Sequence, residues 1–173
     1  MEIDVVIEDE RWAEAGIEGL AVRACSATFE HLGLGSSWEA AILACDDARI
    51  AELNDDFRGK ASATNVLSWP SAERAAEVDG ERPAVPVGDA ELGDIAISFD
   101  TCEREAEAAG VPFQDHVTHL IVHGTLHLLG YDHERDADGD LMEATEVAIL
   151  AKLGLPNPYT ADGRNGSAID GKD

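Results

Sequence analysis

The sequence predicts an α+β fold, a small four-stranded mixed sheet packed against helices with one buried helix at its centre. Three observations carry that prediction. The chain has 173 residues, enough for one sizeable core and too few for two ordinary domains. Its strand-like runs come mostly before its helical ones, the order of an α+β rather than a wound α/β chain. One helical stretch near residue 120 is apolar on nearly every side, as only a helix in the middle of a fold can be.

The elements follow in order. Glu2 to Glu8 sets Ile3, Val5 and Ile7 against polar neighbours and reads as a first strand. Arg11 to His31 reads as one helix, with Ile17, Leu20, Ala21, Ala24 and Thr28 at helical spacing and Gly33 and Gly35 beyond its end. Trp38 to Cys45 is a short, mostly apolar second strand. Asp46 and Asp47 then cap a helix whose inner face is Ile50, Leu53 and Phe57. Val66 to Trp69, ended by Pro70, and Leu92 to Ser98 are the third and fourth strands. Between them Ser71 to Ala90, rich in Pro, Gly, Ala and acids, has no period and reads as a long loop. Asp100 to Ala109 is a short surface helix stopped by Gly110. Pro112 opens the central helix, which runs to about Leu129, and a last helix spans Ala137 to Leu153. Residues 1–155 thus form a single domain, and 156–173 read as a disordered tail.

Charge excludes several function classes. With 36 acidic and 12 basic residues the net charge is −24, which repels nucleic acid and anionic membrane alike. Broad non-specific binding to DNA is not expected, although a local basic groove is compatible with the balance. No apolar run reaches the length of a membrane span, and Met1 leads directly into Glu2-Ile3-Asp4. Cys25, Cys45 and Cys102 are odd in number and far apart, and read as buried, reduced thiols. The expectation is a cytoplasmic protein.

The central helix carries His116, His119, His123 and His127, with His133 just beyond. Residues four apart on a helix differ by roughly 40° in azimuth and about 6 Å in height, so His123 and His127 share a face. Gly130 offers a left-handed helix exit, and the turn Gly130-Tyr131-Asp132 can swing His133 back toward the pair. Three imidazoles at about 2.0–2.1 Å would hold one zinc ion per chain and leave its fourth position open for water, the layout of a catalytic site. A rival set of His119, His123 and His127 fails on length, since its ends lie roughly 12 Å apart along the helix axis. His119 and His116 are assigned instead to a supporting or substrate-side role, as is Asp132, which either orients the His133 ring or caps its turn. Ordinary hydrogen-bonded core histidines would account for any one of these residues alone, but not for H-x3-H-x2-G-x2-H in an apolar helix.

That spacing is the one found in metzincin proteases, HExxHxxGxxH, which makes the expected architecture zincin-like. Gly124 stands where the protease motif places its glutamate, so a conventional peptidase lacks its proton acceptor.

The run His123-Gly-Thr-Leu-His-Leu-Leu-Gly-Tyr-Asp-His133 closely resembles the signature of the YbeY family, bacterial endoribonucleases of ribosomal RNA maturation. Leu53-Asn-Asp-Asp-Phe-Arg58 followed by Thr64-Asn-Val-Leu-Ser-Trp-Pro70 is similar to that family's LNxxYR…TDVLSFP stretch, and Leu92-Gly-Asp-Ile-Ala-Ile-Ser98 to its LGDI(V/A)IS strand. Two departures stand out: Asn65 replaces the usual Asp, and Gly59-Lys60-Ala61-Ser62 replaces a segment that normally carries an acid. The resemblance implies a zinc ion on His123, His127 and His133 and a catalytic Arg58. It also implies hydrolysis of single-stranded RNA, maturation of the small-subunit ribosomal RNA 3′ end, and ribosome quality control. The nucleophile would be a zinc-bound water or the RNA 2′-hydroxyl, with no side-chain base assigned, and Arg58 would clamp phosphate through paired guanidinium hydrogen bonds. Read without the resemblance, Arg58 is equally a surface residue at a helix end. The implied partners are single-stranded or ribosomal RNA, with the small ribosomal subunit or an assembly factor presenting it. A non-catalytic zinc-containing assembly factor and a metallohydrolase of another class, peptidase or phosphoesterase, remain the alternatives. Lys60 and Arg135 would lend a little positive charge beside the site, while Ser68, Asp94 and Met142 read as structural.

Overall fold

The computed structural model describes residues 1–35, 37–88 and 90–159, which form four strands and six helices. Strands β1 (Glu2–Ile7), β2 (Glu39–Cys45), β3 (Val66–Pro70) and β4 (Glu91–Ser98) make one sheet in the order β1-β2-β4-β3. β1, β2 and β4 are parallel, and β3 runs antiparallel to β4 with Ser68 opposite Ile95. The fold is the expected α+β mixed sheet.

The helix expected over Arg11 to His31 is two helices, α1 (Arg11–Glu14) and α2 (Ile17–His31), broken at Gly16, whose φ of 77° belongs to the left-handed region. The break lets α1 turn Trp12 inward. Its indole Nε1 donates to the Cys45 carbonyl at 2.8 Å, and its ring meets Phe99 edge-on at 5.1 Å. The five residues that set the helical period all lie on the buried side of α2.

Helix α3 (Asp47–Arg58) starts where the Asp46 side chain accepts from the Arg49 N–H, and stops at left-handed Gly59. Its inner face differs from expectation. Ile50 and Asn54 are buried, Leu53 is half-buried, and Phe57 is 63% exposed, leaning on Trp69 at 5.0 Å. Asn54 takes the inner position at that end because its amide closes the following loop, donating to the Ser62 carbonyl.

Helix α4 (Phe99–Ala109) follows β4 without a linker, and α6 (Asp136–Lys152) closes the described chain's helical order. Between them α5 (Phe113–Leu128) packs against α2, α4, α6, β3 and β4, with every residue from His116 to Leu128 buried. That enclosure is why the sequence shows no polar face there.

The segment between β3 and β4 has no strand or helix among its described residues, but it is tied down. Arg74 donates to the carbonyls of Leu92 and Leu128, Arg135 donates to those of Ala76 and Glu77, and the Asp79 carboxylate accepts from the Asp138 N–H. The tail expectation needs correction over its first residues. Asn157 to Tyr159 folds back on the body, with the Tyr159 hydroxyl donating to Glu146 at 2.6 Å. Positions 160–173 lie outside the described residues.

Candidate metal centre

The metal face begins with the periodicity of α5. His123 and His127 stand one turn apart, their ring centroids 4.7 Å from each other. Two hydrogen bonds then end the helix, Gly130 N–H to His127 carbonyl and Tyr131 N–H to Leu126 carbonyl, the paired bonds of a Schellman motif. Gly130 has a φ of 103°, and a Cβ there would lie 2.4 Å from the Arg74 carbonyl oxygen, so glycine is required twice over. Tyr131 is buried, and the Asp132 carboxylate accepts from the His133 N–H at 2.7 Å. The turn thereby returns His133 to within 5.2 Å of His127 and 5.7 Å of His123, ring to ring.

One nitrogen from each of the three rings lies within 4.8 Å of the others. The donors fit a zinc-type ion by chemistry as well as position. His127 Nε2 is buried and has no hydrogen-bond partner, a state that a folded protein rarely tolerates without a ligand. Burial, reinforced by His123 and His133, pushes the His127 imidazole down to about 3, which keeps it in the neutral form that binds metals. Beside His127 a cleft of about 320 Å³ is lined by Ser68, Pro70, Glu73, Arg74 and Asp132 among others.

His119 is not among the converging nitrogens. It bonds Glu146 at 2.7 Å through Nε2, while the other Glu146 oxygen bonds His123 Nδ1 at 2.9 Å. Burial lowers His119 below its ordinary value despite the carboxylate, and raises Tyr159 above its own, so the phenol acts as a donor. Burial alone would raise Glu146, but the hydrogen-bonded imidazoles of His123 and His119 outweigh it and hold the carboxyl below its usual range. His116 is tied to a different carboxylate, Glu105, at 2.9 Å. Asn65 donates to that same Glu105 and accepts from the Val66 N–H, which explains its amide: an aspartate would set two carboxylates together.

Arg58 ends α3, is half-buried, and makes no hydrogen bond or ion pair among the described residues. It lines neither cavity that touches the histidines. Arg135, read as a flanking charge, is occupied in holding the 71–88 segment. Position 124 faces the sheet: a Cβ there would meet Ser68 Oγ at 3.1 Å and Ile95 Cδ1 at 3.2 Å, so a protease-type glutamate would be crowded and aimed at the sheet. Sequence reasoning missed Glu146 and Tyr159. The available signal was an acid on the buried stripe of α6, in line with Met142, Ile149 and Leu150.

The model of the family described as Endoribonuclease YbeY matches residues 2–154. The chain belongs to the YbeY family. Curated relatives named Endoribonuclease YbeY include one from Ruegeria sp. (strain TM1040), 58% identical over 164 residues, covering 92% of this chain and 96% of its own. Another, from Jannaschia sp. (strain CCS1), is 56% identical over 160 residues, 92% of this chain and 100% of its own. A third, from Rhodopseudomonas palustris, is 44% identical over 163 residues and covers 93% and 82%. A solution structure from Thermotoga maritima aligns with a TM-score of 0.54 at 20% identity, over 93% of this chain and 98% of its own, a likeness of fold. No helix among the described residues is long and apolar enough to cross a membrane.

Proposed function

We propose that this YbeY-family protein is a zinc-dependent, single-strand-specific endoribonuclease of the cytoplasm, one domain over residues 1–155. In this reading it matures the 3′ end of small-subunit ribosomal RNA and serves ribosome quality control. The observation that carries the reading is the convergence of His123, His127 and His133 beside an open cleft, on a helix with glycine at 124, where a peptidase carries its glutamate. The three histidines would hold the ion. Bound zinc supplies a Lewis acid for a phosphate oxygen and acidifies a water. Arg58, without a partner among the described residues, is the cation for the phosphodiester, and Asp132 keeps the His133 turn in place.

The charge balance bears on how substrate arrives. The net charge is −24, and Arg74 and Arg135 are both engaged in the 71–88 segment. Weak attraction for free RNA follows, and with it reliance on the small ribosomal subunit or an assembly factor to present the strand.

The test is cleavage of an end-labelled single-stranded RNA carrying the sequence of the immature small-subunit 3′ end, by the parent protein and by His127→Ala purified identically. Cleavage by the parent alone, lost with chelator and restored by zinc, is the expected result. No cleavage by a parent carrying one zinc per chain, on free RNA and on assembled pre-ribosomal subunits alike, would overturn it in favour of a non-catalytic assembly factor.

A further inference from the structure

Glu146 is 1% exposed and sits 23 residues from His123 along the chain, on a different helix. A buried charge of this kind is retained only where its oxygens are satisfied, and here three donors surround it. Oε2 takes His123 Nδ1 at 2.9 Å, while Oε1 takes His119 Nε2 at 2.7 Å and the Tyr159 hydroxyl at 2.6 Å. The Tyr159 hydroxyl also lies 3.3 Å from His119 Nε2, so the three form one closed knot.

We infer that Glu146, braced by Tyr159 and His119, is a positioning residue that fixes the orientation and tautomer of His123 for the metal. The two Glu146 oxygens meet three partners, of which the Tyr159 hydroxyl donates, so they serve as acceptors and the His123 nitrogen facing Oε2 is the donor. With Nδ1 protonated, the lone pair of His123 is on Nε2, on the far side of the ring from Glu146. A histidine ligand whose second nitrogen donates to a carboxylate is held in one rotamer and made a better base. Nothing comparable links His116 to the site, since its carboxylate partner Glu105 binds no residue of the metal set. The inference rests on the metal reading above but not on the RNA reading.

The experiment uses the full chain and no RNA. Zinc affinity of the parent, Glu146→Gln and Tyr159→Phe is measured by competition with a chromogenic chelator. Alongside it, histidine ¹⁵N spectra of the metal-free parent report the tautomer, and metal-free melting of each protein reports its folding. A glutamine keeps the shape but replaces one acceptor by a donor, so one of the two imidazoles must present a lone pair inward. The expected results are a Nδ1-protonated His123 in the parent, zinc binding weakened about 10- to 100-fold in Glu146→Gln, and a smaller loss in Tyr159→Phe. A folded Glu146→Gln with zinc affinity within about twofold of the parent would overturn the inference. So would a parent spectrum showing His123 protonated at Nε2, a result that needs no variant to fold. A parent that binds zinc with these properties but cuts no RNA would leave this inference standing and remove the proposed activity.

Discussion

Two stretches of α5 use the same residue type to opposite ends. At its start His116 is buried with its Nε2 on Glu105, which also takes the amide of Asn65. Farther along the helix His127 is equally enclosed, yet its Nε2 meets no acceptor or donor, and two more imidazoles face it across about 5 Å. A buried histidine nitrogen is a structural tie where the fold supplies a carboxylate and is left for a metal where it does not; His123 combines the two, its Nδ1 on Glu146 and its ring facing His127. His119 lies between the two in sequence and in role, since its carboxylate also bonds a ligand.

The sharpest way to break this comparison is His127→Ala. It should reduce zinc affinity by more than the ~100-fold seen when only an outer partner is lost, while His116→Ala leaves affinity unchanged; chelator competition on both proteins checks this. Next in size is a pH effect on the metal-free protein. His127 is held near 3 in the fold against an ordinary 6.5, and His119 is also lowered, so the unfolded chain binds the extra protons. The contribution of His127 is therefore complete above about pH 6.5 and is lost as pH falls from there toward 3, at up to roughly 1.4 kcal/mol per pH unit, and His119 acts in the same direction. Urea unfolding of metal-free protein at a series of pH values should show that decline, and bound zinc should shift its onset to lower pH. Gly124→Glu should cost about 3 kcal/mol or more, because the side chain enters the sheet contact at Ser68 and Ile95, and it should confer no peptidase activity. Melting and a peptide panel decide both halves. The smallest effect is expected at the structural histidine itself. His116→Ala leaves the half-buried Glu105 with the Asn65 amide as its remaining partner and should lower stability by about 1 kcal/mol, read from the unfolding midpoint.

What the sequence made legible divides along the same line. Strand positions and the core of α2 and α5 follow from periods of two and 3.6, and the structure places them where those periods put them. The convergence of His123, His127 and His133 was legible because its spacing is local: one turn of helix, a glycine exit, and three more residues. Glu146 was not, because its partners lie 23 and 27 residues away and only the packing of α6 on α5 brings them together. The break at Gly16 was hidden because α1 is a single turn, too short to show a period of its own. Phe57 misled for a related reason: helical spacing predicts one apolar stripe, but the buried contact of α3 with the sheet centres on Ile50, and Phe57 meets Trp69 while staying largely exposed. Arg135 looked available because nothing local reveals that the 71–88 segment needs its guanidinium.

Gly130 joins two parts of the molecule that the sequence sets more than fifty residues apart. Its missing side chain leaves room for the Arg74 backbone to press against the turn that carries His133, while the Arg74 guanidinium caps the Leu128 carbonyl at the end of the histidine helix. Neither partner can loosen alone: freeing the segment uncaps the helix, and unwinding the helix end removes the segment's anchor. In hydrogen exchange the amides of 71–88 and of 129–133 should therefore open together, as one cooperative unit with a single protection free energy, and filling the metal site should slow both by the same factor.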